Sequence, residues 1–397
     1  MPRPTILCLS SYFKGNAFIE RAKAEGCHTI LLTVEDRLKE NWARHALDEV
    51  FALKSFEERK GVIHSVAYLM RTRPIDRIVA LDDFDIELGA ALREHFRLPG
   101  FYESTARHFR DKLAMRTRAR DLGIPIPEFI GAFNYDDIRR FLARVPGPWL
   151  LKPRASANAI GIRKMNDSDE VFKALDTLGD EQSHHLLEAM IPGELYHVDS
   201  LVSQNKVVFA EVNKYAKPLF EVYHGGGIYM TRTFPRSKPQ NDLLRKVNEK
   251  VLLGFGLDQG VSHTEFMHST RDNQFYLIET SARVGGANIA DMVEAATGVN
   301  LWSEWAKLEI DRDGDYRPPV SRQLYAGTVI SLAKQEWPDY SMFTESEITF
   351  KLKKKNHIGM IVVSESDERI VQLLNQYSSK IAQDFLAVLP AATKAIE

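Results

Sequence analysis

Short apolar runs alternate with amphipathic, helix-length segments over the first hundred residues. The strand-like runs cover residues 5–9, 29–34, 50–51 and 77–81, and the helical segments cover residues 15–25, 60–71 and 86–95. A buried strand followed by a helix and another strand is the repeating unit of a parallel sheet with helices on both faces. The pattern therefore predicts a doubly wound α/β domain over residues 1–108.

The turn after the first strand lacks the glycine spacing with which a helix N-terminus receives a pyrophosphate. This argues against a nicotinamide-dependent redox protein. Asp82, Asp83 and Asp85 follow the fourth strand, at the edge of the sheet where ligands collect. An acidic helix N-terminus, favoured by the helix dipole, explains these three residues more simply.

The middle of the chain has longer strands and fewer helices. Strands are predicted at residues 148–152, 185–190, 195–202 and 207–213, and helices at 105–122, 240–254 and 300–310. The helix at 105–122 is densely basic, and a solvated face explains most of its charges. Residues 214–236 combine glycines with Lys214 and Arg232, which fits either a mobile loop that closes over anions or an ordinary flexible connection.

Residues 261–286 read as a β-hairpin followed by a helix that ends at Gly298. If the turn is centred on Asp272, Glu265 lies opposite Glu279 on one face, and like charges so placed repel. A divalent cation removes that repulsion, and Mg²⁺ binds one or two carboxylates together with nucleotide phosphates. The hairpin therefore predicts a metal–nucleotide site. An exposed hairpin with two solvated glutamates remains the alternative.

A second candidate for phosphate binding is the strand that ends at Lys152. It leads into a loop of small residues that includes Ser156 and ends at Gly161. An ammonium group and backbone N–H groups that converge in this way suit anionic oxygens.

The last part of the chain reads as a linker at residues 311–319 followed by three strands and a helix. The strands are predicted at 325–332, 347–353 and 359–363, and apolar residues with helical spacing follow from Ile370 to Phe385. Lysines at 351 and 353–355 indicate a solvated edge strand. We predict a small α+β domain over residues 311–397, with a central domain over 109–310.

Composition excludes several classes of protein. The chain has 397 residues, 44% hydrophobic and 27% charged, with a formal net charge of -2, so nothing indicates a nucleic-acid partner. The two cysteines have no paired spacing, and no apolar run is long enough for a signal peptide or a membrane helix. These features predict a cytoplasmic protein with no membrane partner, and they leave a homodimer open.

The order of these motifs resembles the ATP-grasp superfamily of carboxylate–amine ligases. Glu265 is followed by Glu279-Thr-Ser-Ala-Arg283 and a Gly-Gly pair, as in the metal-binding core of that family. The segment DKLAMRTRARDLGIPIPEF, which begins at Asp111, is similar to the entry segment of the family.

The resemblance implies roles for individual residues. ATP would contact Lys112, Lys152, Ser156, Gly161, Glu188, Ile191, Glu194 and Lys214. Metal ions would bind Glu265, Glu279 and Ser281, where Ser281 replaces the more common Asn. The substrate would contact Arg283, Gly285, Gly286 and Arg232, and the catalytic residues would be Arg283 and Lys152.

The resemblance also implies an activity. An ATP-grasp ligase transfers the γ-phosphoryl group of ATP to a small carboxylate, and an amine then attacks the acyl phosphate. ATP and Mg²⁺, with Mn²⁺ as a substitute, would be the cofactors, and an amino acid is the favoured carboxylate, as in L-amino acid ligases. A carboxylase similar to biotin carboxylase and a non-catalytic nucleotide-binding regulator are the alternatives.

Overall fold

The computed structural model describes residues 3–156, 159–220, 222, 227–312, 314 and 316–387. Strands β1–β16 and helices α1–α11 are numbered in chain order within these ranges. No described helix is both long enough and apolar enough to cross a bilayer.

The first domain contains a four-stranded parallel sheet in the order β3-β2-β1-β4. Its strands are β1 (Thr5–Ser10), β2 (His28–Val34), β3 (Glu49–Leu53) and β4 (Arg77–Ala80), and its helices are α1 (Asn16–Ala24), α2 (Arg59–Met70) and α3 (Ile86–Phe96). Every residue of β1 is buried, as expected for a strand covered on both faces. The predicted parallel α/β domain is confirmed.

The basic helix predicted at residues 105–122 is two helices. Helix α4 (Glu103–His108) ends before Asp111, and α5 (Lys112–Asp121) begins after it. The Asp111 carboxylate accepts a hydrogen bond from the backbone N–H of Leu113 at 2.9 Å, so it caps α5. Because this cap starts a new helix, Lys112 becomes the first residue of α5.

A second sheet, in the order β5-β8-β6-β7, is antiparallel. It comprises β5 (Phe129–Gly131), β6 (Trp149–Pro153), β7 (Arg163–Met165) and β8 (His185–Ala189), with α6 (Tyr135–Arg144) and α7 (Ser168–Leu178). We did not predict β5, β7, α6 or α7 from the sequence. Strands of three residues contain too few positions to show an alternating pattern.

The third sheet has eight strands in the order β13-β12-β9-β10-β11-β14-β16-β15. They are β9 (Gly193–Ser203), β10 (Lys206–Tyr215), β11 (Tyr229–Thr233), β12 (Gly260–Ser269), β13 (Phe275–Ser281), β14 (Tyr325–Leu332), β15 (Ile348–Lys351) and β16 (His357–Ser364). The associated helices are α8 (Pro239–Phe255), α9 (Ile289–Thr297), α10 (Leu301–Ile310) and α11 (Asp367–Asp384). As predicted, β15 is an edge strand.

The C-terminal strands extend the sheet that carries the hairpin. Strand β14 pairs with β11, with Met230 opposite Val329, and β16 pairs with β14. The division of the chain at residues 108 and 310 therefore stays a prediction, because a single sheet crosses the second of these boundaries.

One apolar core joins the parallel sheet to the third sheet. Helix α1 packs against α10, where the rings of Phe18 and Trp305 meet edge to face with centroids 5.2 Å apart. This contact holds the first domain against the hairpin sheet. The carboxyl end of β4 thereby lies close to the end of β13, where Asp83 bonds to Ser281.

Candidate functional site

The site is built around the β12–β13 hairpin. Glu265 is the register partner of Glu279, as predicted, and the register shifts immediately after Glu265. Glu265 is buried and accepts a hydrogen bond from the Tyr215 hydroxyl at 2.8 Å. Burial alone would raise the pKa of Glu265, but the hydrogen bond and charge of His263 outweigh burial and lower it. The carboxylate therefore stays ionised, as a metal ligand must.

Glu279 is neutralised by a different cation. Its Oε1 lies 2.8 Å from Nζ of Lys112, and the same ammonium group donates to the carbonyl of Ser156 at 2.6 Å. Lys112 therefore connects the hairpin to the small-residue loop, although Glu279 and Ser156 are both distant from Lys112 in sequence. Ala157 and Asn158 of this loop lie outside the described residues. Gly161, at its end, has a φ of +74°, which glycine adopts without strain.

Lys152 and Glu188 form a buried ion pair between β6 and β8. Arg116 completes the group, with Nη2 at 3.0 Å from Oε2 of Glu188. Burial alone would raise the pKa of Glu188, but the charges of Arg116 and Lys152 outweigh it and lower that pKa. Burial lowers the pKa of Lys152. Both carboxylate oxygens of Glu188 are therefore engaged by cations of the protein.

The interpretation of the basic helix as a solvated face is wrong for two arginines. Arg116 is fully buried against Glu188, and Arg110 is buried against Asp83. Glu188 lies on β8 and Asp83 lies just after β4, both distant in sequence, so helical periodicity alone could not identify these contacts.

Three more of the residues expected to contact ATP lie on β9, on β10 and just before β9. Ile191 lies between β8 and β9, and Glu194 follows on β9 with its side chain half exposed. Nζ of Lys214 on β10 is 2.7 Å from Oε1 of Glu194, and this hydrogen bond lowers the pKa of Glu194. The structure thus brings Glu194 and Lys214 together.

Asp83 is a site residue that the sequence analysis missed. Its carboxylate accepts a hydrogen bond from the Ser281 hydroxyl, pairs with Arg110, and lies 3.6 Å from Nε of Arg283. Burial alone would raise its pKa, but the charges of Arg110 and Arg283 lower the pKa of Asp83 to about 2.

Asp83 does lie in the first turn of a short helix, as the acidic-terminus interpretation predicted, but its carboxylate is engaged by Arg110 and Ser281. Asp82 caps that turn by accepting from the Phe84 N–H at 3.0 Å. The position of Asp83 after a parallel strand was the available signal.

The other residues predicted to contact the substrate, Gly285, Gly286 and Arg232, lie in two different places. A Cβ atom on Gly285 would lie 3.0 Å from Oδ1 of Asp199 and 3.1 Å from Nδ1 of His263, so a side chain there would be crowded, whereas the space beside Gly286 is open. Arg232 instead pairs with Asp367 at the start of α11. Within the predicted loop at residues 214–236, residues 229–233 form β11, and residues 221 and 223–226 lie outside the described residues.

The sequence analysis also missed a cluster of buried polar residues on β12 and the neighbouring strand β9. Asp199 on β9 contacts Nδ1 of His197 at 2.7 Å and Nδ1 of His263 at 2.9 Å, and all three side chains are buried. Burial lowers the pKa of His197. For His263 burial acts in the same direction, but Asp199 outweighs it and raises the pKa to about 9. Polar residues two apart on apolar strands were the available signal.

The arrangement suits a nucleotide with its metal ions. Lys112, Lys152 and Arg283 supply positive charge, and Glu265 and Glu279 supply the oxygen donors that Mg²⁺ prefers. The Ser281 hydroxyl donates to Asp83, and its lone pairs remain available as an oxygen donor. The donor set therefore fits a hard divalent cation.

Two family models match the chain. An ATP-grasp N-terminal domain matches residues 19–100, and an ATP-grasp domain matches residues 145–291. The L-arginine-specific L-amino acid ligase of Bacillus subtilis is 23% identical over 275 residues, which are 68% of this chain and 66% of that protein.

Solved structures share the fold. The L-amino acid ligase from Bacillus licheniformis matches with a TM-score of 0.76 at 19% identity, over 96% of this chain and 98% of that chain. The N5-carboxyaminoimidazole synthetase from Staphylococcus aureus, complexed with ADP, matches with a TM-score of 0.69 at 14% identity, over 94% and 97%. The fold predicted from the hairpin motif is confirmed.

Proposed function

Because the chain belongs to the ATP-grasp superfamily, we propose that it is an ATP-dependent ligase that joins a small carboxylate to an amine. The observation that carries this proposal is the contact of Lys112 with both Glu279 and the backbone of the small-residue loop. It unites a phosphate-binding cation, a phosphate-binding loop and a metal-binding carboxylate at one point. The L-amino acid ligases among its relatives favour an amino acid as the carboxylate substrate.

In the first step, an oxygen of the substrate carboxylate attacks the γ-phosphorus of ATP. The bond from the γ-phosphorus to the bridging oxygen breaks, and ADP leaves with that electron pair. Lys112 and Lys152 would exchange their carboxylate partners for phosphate oxygens, and Arg283 would stabilise the charge on the transferred group. In the second step, the amine attacks the acyl carbon, inorganic phosphate leaves, and the proton of the amine goes to phosphate.

Glu265, Glu279 and Ser281 would hold Mg²⁺, or Mn²⁺ in its place. The bound ion would neutralise phosphate charge and orient the γ-phosphoryl group. These residues lie on paired strands of one hairpin, which would hold their oxygen atoms in place for the ion. A cytoplasmic location and a possible second copy in a homodimer stay predictions from the sequence.

The test is release of ADP and phosphate from Mg²⁺–ATP with single and paired amino acids, with products identified by mass spectrometry. We expect ADP release that requires a carboxylate and an amine, together with a condensation product. Binding of ATP without turnover for any pair would contradict the proposal and favour a nucleotide-binding regulator. A carboxylated product that depends on bicarbonate would instead favour the carboxylase alternative.

A further inference from the structure

The buried cluster of His197, Asp199 and His263 lies on the neighbouring strands β9 and β12. Asp199 is the register partner of His263, and His197 is the register partner of Glu265. Two residues on each strand therefore face the same side of the sheet. The predicted metal ligand Glu265 therefore lies on the same face of the sheet as His197, Asp199 and His263.

A hydrogen bond and an ion-pair contact link Asp199 to Glu265 through His263. Oδ1 of Asp199 is 2.9 Å from Nδ1 of His263, and Nε2 on the other edge of that ring is 3.5 Å from Oε1 of Glu265. The second oxygen of Asp199 accepts from the amide of Asn213 at 3.0 Å and contacts His197 at 2.7 Å. The carboxylate of Asp199 is thus fixed from three sides.

Asp199 and His263 also lie next to Gly285, in the segment that is predicted to contact the substrate. A Cβ atom on Gly285 would come within 3.0 Å of Asp199 and 3.1 Å of His263, so the backbone of Gly285 lies close to both side chains. Glu265 and the segment after Arg283 therefore rest on one shared carboxylate–imidazole pair. Burying such polar groups costs free energy that an apolar set of the same volume would not. A positioning role accounts for polar residues at these places.

We propose that Asp199, acting through His263, positions Glu265 for the divalent cation and so sets the cation requirement of the enzyme. This inference rests on the proposed function of Glu265 as a metal ligand. Asp199 is a positioning residue, because it is fully buried and its carboxylate is engaged by His197, Asn213 and His263. The 2.7 Å and 2.9 Å contacts of Asp199 with the two histidines are hydrogen-bond lengths, which favours direct hydrogen bonds over a separate metal site among these three residues.

The test compares Asp199→Asn with a matched control, Glu211→Gln. Glu211 is another buried acid, the register partner of Asp199 on β10, but it pairs with Arg236 instead of His263. Binding of Mn²⁺ to the full chain in the presence of ADP, followed by electron paramagnetic resonance, requires no turnover. We expect Asp199→Asn to weaken Mn²⁺ binding about tenfold or more, as for other residues that orient metal ligands, and Glu211→Gln to leave it unchanged.

A second variant covers the case in which Asp199→Asn does not fold. His263→Asn keeps a donor at the position of Nδ1 and removes the ring edge that faces Glu265. We expect the same loss of Mn²⁺ affinity, and if all variants fold, no further loss when both substitutions are combined. Equal losses in Asp199→Asn and Glu211→Gln, or unchanged Mn²⁺ affinity in both Asp199→Asn and His263→Asn, would overturn the proposal.

Two further measurements test whether the buried cluster itself binds a metal and whether Glu265 is a metal ligand. One equivalent of a transition metal in the dialysed wild-type protein, lost in Asp199→Asn, would overturn the positioning role in favour of a metal site formed by His197, Asp199 and His263. The variant Glu265→Gln tests the premise, because unchanged Mn²⁺ affinity there would remove Glu265 as a ligand. Tight Mn²⁺–ADP binding without ligation of any substrate would count against the proposed function alone.

Discussion

Glu265 and Glu279 are partners in the hairpin register, yet their surroundings differ. Glu265 is buried among hydrogen-bond donors, whereas Glu279 keeps 27% of its side chain exposed and is paired with Lys112. An arriving nucleotide can therefore take Lys112 from Glu279 without disturbing Glu265. Glu279 is the carboxylate that we expect to change partner during binding.

We expect Glu279→Gln to abolish phosphoryl transfer and to leave the fold intact. The amide cannot supply the charge that the cation requires, so ADP release should fall below about 1% of the wild-type rate. Its melting temperature should stay near that of the wild type because the side chain is partly exposed. Glu249→Gln, an exposed change on α8, is the control and should retain full activity. Normal turnover of Glu279→Gln would refute the metal assignment.

We expect Arg283→Ala to lower kcat more than nucleotide affinity. Its guanidinium would act on charge that develops during transfer, and loss of one such group costs about a hundredfold or more in kcat. Steady-state kinetics and ATP binding by calorimetry distinguish the two effects. Arg271→Ala, an exposed change in the turn of the same hairpin, is the control. A loss confined to ATP binding would contradict the role assigned to Arg283.

The sequence was informative about residues whose partners lie on the same hairpin. The register of Glu265 and Glu279 follows from local alternation and the turn between them, and the structure confirms it. Asp83 and Arg110 could not be assigned in this way. Their environment is created when the parallel sheet packs against the hairpin, which no local pattern records.

At the scale of elements, α5 holds the parts of the nucleotide site together. Asp111 caps the helix and pairs with Arg154, and Lys112 and Arg116 reach the hairpin and β8 from its first and second turns. Helix α5 therefore positions Lys112 and Arg116. Through the contact of Asp111 with Arg154, it also holds the end of β6, the strand that carries Lys152.

We expect Arg116→Met to destabilise the protein by about 3–5 kcal/mol, because removing one partner leaves a buried charge on Glu188 without full compensation. Arg120→Met on the same helix should change the free energy of unfolding by less than about 0.5 kcal/mol, since the side chain of Arg120 is 63% exposed. Chemical denaturation of both variants measures the difference. Equal stability of the two variants would show that Glu188 does not depend on Arg116.

Secondary structure was predictable where an element was long and its pattern regular. The parallel strands and the hairpin were predicted well, whereas the break before α5 was not, because one capping residue interrupts an otherwise continuous helical pattern. Strand β11 was missed because its residues were interpreted as part of a glycine-rich loop. What makes it a strand is pairing with β10 and β14.

At the scale of the whole molecule, stability should fall as pH rises from acidic to neutral because of Asp85. Burial raises the pKa of Asp85 to about 7, above that of an unfolded aspartate. The folded state therefore holds a proton that the unfolded state has released. This contribution to stability is fully present below about pH 4 and is lost as pH rises through 7.

We expect Asp85→Asn to remove that loss. The amide keeps an acceptor for the Ser11 N–H, which bonds Asp85 at 2.7 Å, and it never ionises. Relative to the wild type, the variant should gain about 2 kcal/mol between pH 5 and pH 8. Denaturant titrations at both pH values measure the change. A constant difference between variant and wild type would show that Asp85 does not titrate in this range.

The pairing of β11 with β14 has a consequence for biosynthesis. A ribosome makes residues 229–233 well before residues 325–332, so β11 leaves the exit tunnel with one of its edges unpaired. Until the partner strand arrives, that edge can recruit any other extended chain nearby. The eight-stranded sheet cannot be completed on the nascent chain before residue 332 has been translated. This predicts a late folding step, after most of the chain has left the ribosome.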